Sequence, residues 1–494
     1  MSNIVEFAKT KNSVLLVDAG KRLEDTYVVT QQAYENLILN HMGSLLGINE
    51  CEYTEAFQYV TSDLLKPNQN TMMQKLERLS EKGYRKATKD IANEYISSNP
   101  SLALKYYSQC LNDPSINQGE INEQIGYLYF SSDILDTRDG FQYLKVAANQ
   151  YNMGFAQFVL ASMYFNGDGV EKDIEVSYNY CLKAANNDEE HAEFWLGKDF
   201  IFADEYPLEK NVKLGLEYLE RSAKKYNANA QYFLGFIYFE GELTEKDLNK
   251  SENYLIQATY GNVPGAYAYL GQLNYERADY VKAREYLETS YNQFHSLLWS
   301  ETLVKIYKNG LGCSVDIPRA IALIEDMIEN AASNAEDVEF AADCYYEGKY
   351  IVKDVNKAVR YYGIIEDNNP AIKYKIGCIA LDGKSSILSK NDCIRYLEYA
   401  GSNGYPTAFS KLAHYFLSIN NSDRALDYFK RSYHAGNIDD GVMIGRIYEA
   451  GTPSMYKNMS EAVNWYKAAA EKGSAKAKEE LSHIKSGIFG YKRI

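Results

Sequence analysis

Proline is scarce in this chain, nine in 494 residues, so little interrupts helix over long stretches. Histidine is scarcer still. The six (His41, His191, His295, His414, His434 and His483) include no pair four residues apart, the spacing a helical zinc site needs. Cysteine totals seven, and no Cys-x-x-Cys occurs. This is the usage of a reducing compartment, and it predicts free thiols at Cys51, Cys110, Cys181, Cys313, Cys344, Cys378 and Cys393. The apolar run Val14 to Val17 is too short for the core of a secretory leader. Nowhere do about 20 apolar residues run together as a membrane span requires. The expectation is therefore a cytoplasmic protein, with export lacking a cleavable leader as the alternative. Positive charge is also short: 52 Lys and Arg stand against 67 Asp and Glu, a net charge of −15. No basic stripe recurs on a repeating face, which excludes nucleic acid as a partner. There is no glycine-lysine phosphate loop and no Gly-x-Ser-x-Gly. The chain is expected to be no enzyme and to hold no cofactor or metal.

What is abundant is tyrosine, 45 residues against 19 Phe and 3 Trp. Its ring packs while its hydroxyl stays wet, so it suits the boundary between helices and water. Many of these tyrosines belong to a recurring phrase: a small residue, an aromatic three residues on, and Gly at six. It is clear at Ala161-Tyr164-Gly167, Gly235-Tyr238-Gly241, Val304-Tyr307-Gly310, Ala342-Tyr345-Gly348 and Gly445-Tyr448-Gly451. Weaker copies start at Gly126, Gly197, Gly271, Gly377 and Ala413. Starts lie about 32 to 38 residues apart, the period of a helix–turn–helix solenoid. So short a unit cannot bury its own apolar face and must stack on its neighbours. The predicted fold is all-α, an α/α solenoid of paired antiparallel helices in a right-handed superhelix.

One copy, Asn229 to Asn262, shows the physics. Ala230, Leu234, Ile237 and Tyr238 recur at helical spacing and form the apolar stripe of a first helix. Gly235 lies inside that helix, where it costs about 1 kcal/mol relative to Ala. A column of small residues there implies close approach of a neighbouring helix. Gly241 ends the helix in a left-handed conformation. A polar loop then leads to Asp247, matched by Asp173, Asp316 and Asp354, each placed to favour the positive end of a second helix. The second helix has its own small column, Ser177, Ser251, Ala320, Ala358 and Cys393, and an aromatic three residues later at Tyr180, Tyr254, Tyr361 and Tyr396. Cys393 thus reads as a packing residue. After Gly271 and Ala413 the glycine loop is missing, and the helices should join tightly at Glu276–Tyr280 and Ile419–Asp423.

The fullest copy, Ile444-Gly445 … Tyr448 … Gly451 … Ala462 … Trp465-Tyr466-Lys467-Ala468-Ala469 … Gly473, resembles the Sel-1-like repeat. So does Phe155 to Ala185, with its Asn166-Gly167-Asp168-Gly169-Val170 loop. The resemblance covers roughly residues 120 to 480. It implies a relative of tetratricopeptide repeats with an extended glycine loop, acting as an adaptor or scaffold in signalling, secretion, envelope assembly or host interaction. The cysteine pairs of the family's secreted branch are absent, and the resemblance brings no catalytic residue with it.

Residues 1–87 depart from the motif and are expected to form a mostly helical cap, residues 88–473 the repeats, and residues 474–494 a capping helix and tail. Ser13 to Gly20 and Thr26 to Thr30 read as short strands. Gln31 to Leu46, Glu55 to Leu65 and Thr71 to Glu81 read as helices, Thr88 to Asn112 as a helix pair, and Ser474 to Ser486 as a closing helix. The Asp18-Ala19-Gly20 turn resembles a phosphate-handling turn over three residues only. Chemistry in this N-terminal region is the alternative to a non-enzymatic scaffold, and a secreted effector built on the same repeats is another.

First helices line the concave side of such solenoids, so positions one and four after the small column should face the groove. The plus-four row begins Phe130, Phe165, Ile201, Phe239 and Tyr275, all apolar or aromatic, and predicts a continuous binding patch. With Tyr127, Lys198 and Phe236 from the plus-one row, it gives the expected site for a protein or peptide partner. Self-association is left open. The aromatics three before the column (Phe158, Phe194, Tyr232 and Tyr374) read as core.

Overall fold

The computed structural model describes residues 28–61, 68–132, 135–203, 209–487 and 490–493. Helix follows helix from Val28 to Ser482, in two compact units, Met1–Ala266 and Tyr267–Ile494.

Within the first unit, the repeat hairpins are Gln118–Ser131 with Thr137–Gln150, Gly154–Asn166 with Ile174–Asn186, Glu190–Phe202 with Val212–Lys224, and Ala228–Glu240 with Leu248–Thr259. Before them lie Val28–Leu45, Asn49–Thr61 and Gln69–Glu81, and then the pair Arg85–Tyr95 and Pro100–Cys110. The second unit repeats the scheme with Ser300–Asn309 and Ile317–Glu329, Ala335–Glu347 and Val355–Ile364, Pro370–Leu381 and Lys390–Ser402, Pro406–Ser418 and Ser422–His434, and Asp440–Ala450 and Met459–Glu471. It closes with Ala475–Ser482.

Local chemistry sets the hairpin. Gly167, Gly241, Gly310 and Gly348 end first helices at φ of 86°, 72°, 67° and 70°, where any Cβ would be strained. Asp173, Asp247, Asp316 and Asp354 then accept backbone N–H groups of the next helix through their carboxylates, as the sequence predicts. Their own N–H groups donate to the carbonyls of Tyr164, Tyr238, Tyr307 and Tyr345, at 2.9–3.0 Å. The aromatic of the motif thus also marks where the loop is tied back. The two glycine-less joins are tight: Glu276 is followed by helix again at Tyr280, and Ser418 by helix at Ser422. Ala278 and Asn420 take the left-handed conformation there.

The small column is a helix contact. A Cβ on Gly235 would lie 2.6 Å from Leu255 Cγ, and on Gly126, Gly271 and Gly377 2.5–2.6 Å from Leu144, Leu287 and Leu397. Each of these leucines sits on the second helix of the same hairpin. Ser177 and Ser251 donate hydroxyl hydrogen bonds to the carbonyls of Ala161 and Gly235 at 2.7 and 2.8 Å, a further tie that only close backbones permit. The aromatics that follow the two columns meet ring to ring. Tyr129–Tyr143, Tyr164–Tyr180, Phe200–Tyr218 and Tyr238–Tyr254 lie 5.9–6.4 Å apart and within 9° of parallel. Stacking of this kind adds to area burial, and it gives a place to seven of the 45 tyrosines. Cys393 is buried among Leu397, Ala400 and Leu412, where burial pushes its thiol up to about 12. It packs as expected.

The ends correct two expectations. Val28 to Thr30 begin a helix rather than ending a strand. The strand expected at Ser13 to Gly20, with its Asp18-Ala19-Gly20 turn, lies outside the described residues. At the other end helix stops at Ser482, and Ile484–Gly487 (β1) pairs antiparallel with Gly490–Arg493 (β2). The sequence from Ile484 has glycines at 487 and 490 that favour a reversal over a continued helix. Arg493 of β2 reaches both Glu480 and Glu449, tying the hairpin to the last repeat.

Candidate functional site

Positions three before, one after and four after the small column fall at i, i+4 and i+7, on one stripe of a first helix. In the first unit that stripe carries rings, and rings of successive first helices touch. Tyr127 meets Phe155 edge-on at 5.2 Å. Phe158 and Phe165 both meet Trp195, at 5.3 and 5.7 Å. Phe194 and Phe202 meet Phe233 at 5.5 and 6.1 Å, and Tyr232 leans on Phe233 at 5.6 Å. All of these side chains are half-buried: each packs one side on the repeat and leaves the other to solvent.

This corrects the reading of Phe158, Phe194, Tyr232 and Tyr374 as core. They are half-buried, and Phe158, Phe194 and Tyr374 pack against core clusters from the edge rather than within them. It also adds Phe155, Trp195 and Phe233, residues at helical spacing from the stripe that the column alone did not single out.

The expected plus-four patch is not continuous. Phe130 and Phe165 are half-buried, but Ile201 is 2 % exposed and Phe239 3 %. Ile201 sinks against Gly215 of the facing second helix, where a Cβ would lie 2.6 Å from Ile201 Cγ1. Phe239 is covered from the loop side, with the Lys246 ammonium 4.9 Å from its ring centre. Lys172 stands over Phe165 in the same way at 5.2 Å. Phe236 and Lys198 are half-buried on their first helices. Tyr275 belongs to the second unit, edge-on to Tyr280 at 5.4 Å.

In the second unit Tyr374 still meets Tyr405 ring to ring at 5.7 Å, but charge enters the same faces. Lys308 reaches Asp337 of the next first helix at 3.4 Å, with its ammonium 4.3 Å from the Phe340 ring centre. Lys375 reaches back to Glu339 at 2.8 Å and Asp343 at 2.7 Å. Arg446 reaches forward to Glu480. Burial raises the Glu480 carboxyl, but Arg446 and Arg493 outweigh it and hold the group below the usual carboxylate range.

Buried acids tie neighbouring helices together. Glu193 is 0 % exposed and takes Arg221 at 2.6 Å and Lys225 at 2.7 Å from the second helix of its hairpin. Glu123 accepts the backbone N–H of Ala156 at 2.9 Å; burial raises its carboxyl. The Glu189-Glu190-His191 group gathers three ligand-type atoms within 4.8 Å of one another. Two of the carboxylate oxygens are already engaged: Glu189 caps the helix at Ala192 N–H, 2.7 Å, and takes His191 Nδ1 at 2.8 Å. The arrangement caps a helix.

The Sel1 repeat model matches residues 94–109, 154–189, 190–227, 228–263, 265–293, 305–325, 340–364 and 442–474. Among curated proteins the chain is similar to the chitin synthase regulator SKT5 of Saccharomyces cerevisiae, 22 % identical over 185 residues, covering 35 % of this chain and 26 % of that protein. It is also similar to an uncharacterised Sel1-like repeat-containing protein of Schizosaccharomyces pombe, 24 % identical over 261 residues, covering 52 % of this chain and 36 % of that one. The matched part is thus about a quarter to a third of either relative's length. Among solved structures, a protective antigen of uropathogenic Escherichia coli with an SLR fold is 16 % identical with a TM-score of 0.43, covering 90 % of this chain and 92 % of that one. A Sel1 repeat protein from Oxalobacter formigenes is 22 % identical with a TM-score of 0.34, covering 57 % and 99 %. The family match follows the same hairpins whose glycine caps, aspartate caps and small columns are described above, and the chain belongs to the Sel1-like repeat family.

Proposed function

We propose that this chain is a non-catalytic scaffold that holds a protein or peptide partner against the first-helix face of residues 118–266. The observation that carries the reading is the run of half-buried rings bridging successive first helices, Tyr127–Phe155, Phe158–Trp195–Phe165 and Phe194–Phe233. Rigid aromatics lose little entropy on binding and dominate the energy of interfaces. Tyr127, Phe130, Phe165, Lys198 and Phe236 are the proposed contacts in this unit, and Tyr275 is a proposed contact of the second. Phe239 supports that surface from beneath. A relative named as a regulator of chitin synthase is in keeping with a protein that acts through another protein. No described helix is long and apolar enough to cross a membrane.

The test places a photo-crosslinking amino acid at Phe236, identifies the captured protein, and then measures its direct binding to purified chain. Phe158→Ser with Trp195→Ser should weaken that binding at least about tenfold, the loss of one or two aromatic anchors. Unchanged binding by a folded double variant would overturn the reading.

A further inference from the structure

The repeats of the second unit allow an internal comparison that singles out one cation. Lys375 and Lys411 occupy the same position in consecutive repeats, two residues before the small residues Gly377 and Ala413. Lys375 is neutralised by Glu339 and Asp343 of the preceding first helix, at 2.8 and 2.7 Å. Those acids stand three before and one after Ala342. One repeat later the same two positions are Tyr374 and Cys378. Lys411 therefore faces a phenol and a thiol where Lys375 faces two carboxylates. Its charge is felt there: burial pushes the Cys378 thiol up, while Tyr374 and Lys411 pull the other way.

Lys411 is exposed and forms no ion pair among the described residues. It borders a cavity of about 400 Å³ lined by Tyr374, Thr407, Ser410, Lys411, His414 and Asn437, without a carboxylate in the wall. The acid behind that wall, Asp440, is already engaged. It accepts the Ser410 hydroxyl and the Asn437 amide, both at 3.0 Å. His414 donates from Nδ1 to the Ser410 carbonyl at 2.8 Å, which leaves Nε2 as its other polar atom. Ser410 and Asn437 are neutral partners for Asp440, so among the lining residues it is Lys411 that presents a charge complementary to an anion.

We infer that Lys411, at the cavity between the first helices Pro370–Leu381 and Pro406–Ser418, docks a carboxylate from a bound chain, taking the place that Glu339 and Asp343 fill for Lys375. The carboxylate is an acidic side chain or a chain terminus. The site lies in the second unit, independent of the aromatic face, so either proposal can fail alone.

The experiment titrates the full chain into N-terminally labelled pentaglutamate, as free acid and as C-terminal amide, and follows fluorescence anisotropy at low salt. Saturable binding is expected, and Lys411→Gln should weaken it up to about fivefold, as loss of an exposed ion pair does. Lys411→Arg should retain most of it. Lys375→Gln, whose ammonium is already neutralised, should leave binding within about twofold. Equal affinity for acid and amide assigns the side chains; preference for the free acid assigns the terminus. Absence of binding by the parent, equal losses in Lys375→Gln and Lys411→Gln, or stronger displacement by inorganic phosphate than by acetate at matched ionic strength would each overturn the inference. Thermal melts of the exposed-site variants should match the parent's.

Discussion

From Gln118 to Ala266 one first helix meets the next through rings, Phe158 on Trp195 and Phe194 on Phe233. From Ser300 onward charge takes over much of the corresponding faces, Lys308 to Asp337 and Lys375 to Glu339 and Asp343, beside the ring contact of Tyr374 with Tyr405. The backbone beneath is the same. Gly235 meets Leu255 in one unit as Gly377 meets Leu397 in the other, at 2.6 Å from a would-be Cβ in both. The hairpin contact fixes the fold, and the stripe three before to four after the column is left to vary. A repeat array can thereby change its surface chemistry along its length without changing its scaffold, which is what a protein that selects partners needs. The two chemistries differ in kind: apolar contact is not screened by salt, whereas exposed ion pairs are.

The sharpest break of that comparison is depth rather than chemistry. Phe239→Ala should cost about 3–5 kcal/mol, the usual range for a buried Phe, and Phe236→Ala well under half of that, because its ring is half solvated. Denaturant melts of the two variants measure the difference. Similar losses would mean that the face is core throughout. The same contrast holds for charge. Glu193→Ala removes a fully buried acid held by both Arg221 and Lys225, which keep Asp188 as a partner, and should cost about 1–3 kcal/mol. Glu339→Ala removes one of two partners of a half-exposed lysine and should cost about 0–1 kcal/mol. A large loss from Glu339→Ala would show that the ionic face is structural.

Next in size is the contact both units share. Gly235→Leu drives a side chain into Leu255 and should cost about 1–3 kcal/mol, or more where the helices cannot separate. An unchanged melting temperature would remove the small column as the basis of the hairpin.

These expectations also mark what the sequence tells. The column, the glycine caps and the aspartate caps were legible because each is a local choice: a left-handed residue, a carboxylate beside orphan N–H groups, a missing Cβ at fixed spacing. The depth of Ile201 was not, because it depends on Gly215, in another helix and another register. Nor was the role of Trp195, which lies off the small column and gains its partners only when two repeats stack. The closing hairpin escaped because a helix-favouring run, Ala475 to Ser482, passes into it without a proline. Lys411 was invisible as a site until its neighbours could be compared with those of Lys375.

The smallest expected effect concerns that closing hairpin and the acid that holds it. Glu480 is buried, yet Arg446 and Arg493 keep its carboxyl below the usual range. A carboxylate whose folded-state value is depressed contributes stability that is present above its unfolded value, near 4.3, and is lost as pH falls through the folded one. Acidification from about pH 5 should therefore loosen the contact between Ala475–Ser482 and β2 before the repeats themselves melt. Hydrogen exchange of residues 475–487 and 490–493 reads this directly: protection should fall with pH in the parent. In Glu480→Gln it should be lower at neutral pH and fall less over the same interval, the remaining loss coming from Asp439, which holds Ser474 and Lys476 at the start of that helix. If parent and variant instead lost protection in parallel on acidification, Glu480 would not be the titrating group, and the hairpin would be held by its strand pairing and by the Arg493 contact with Glu449.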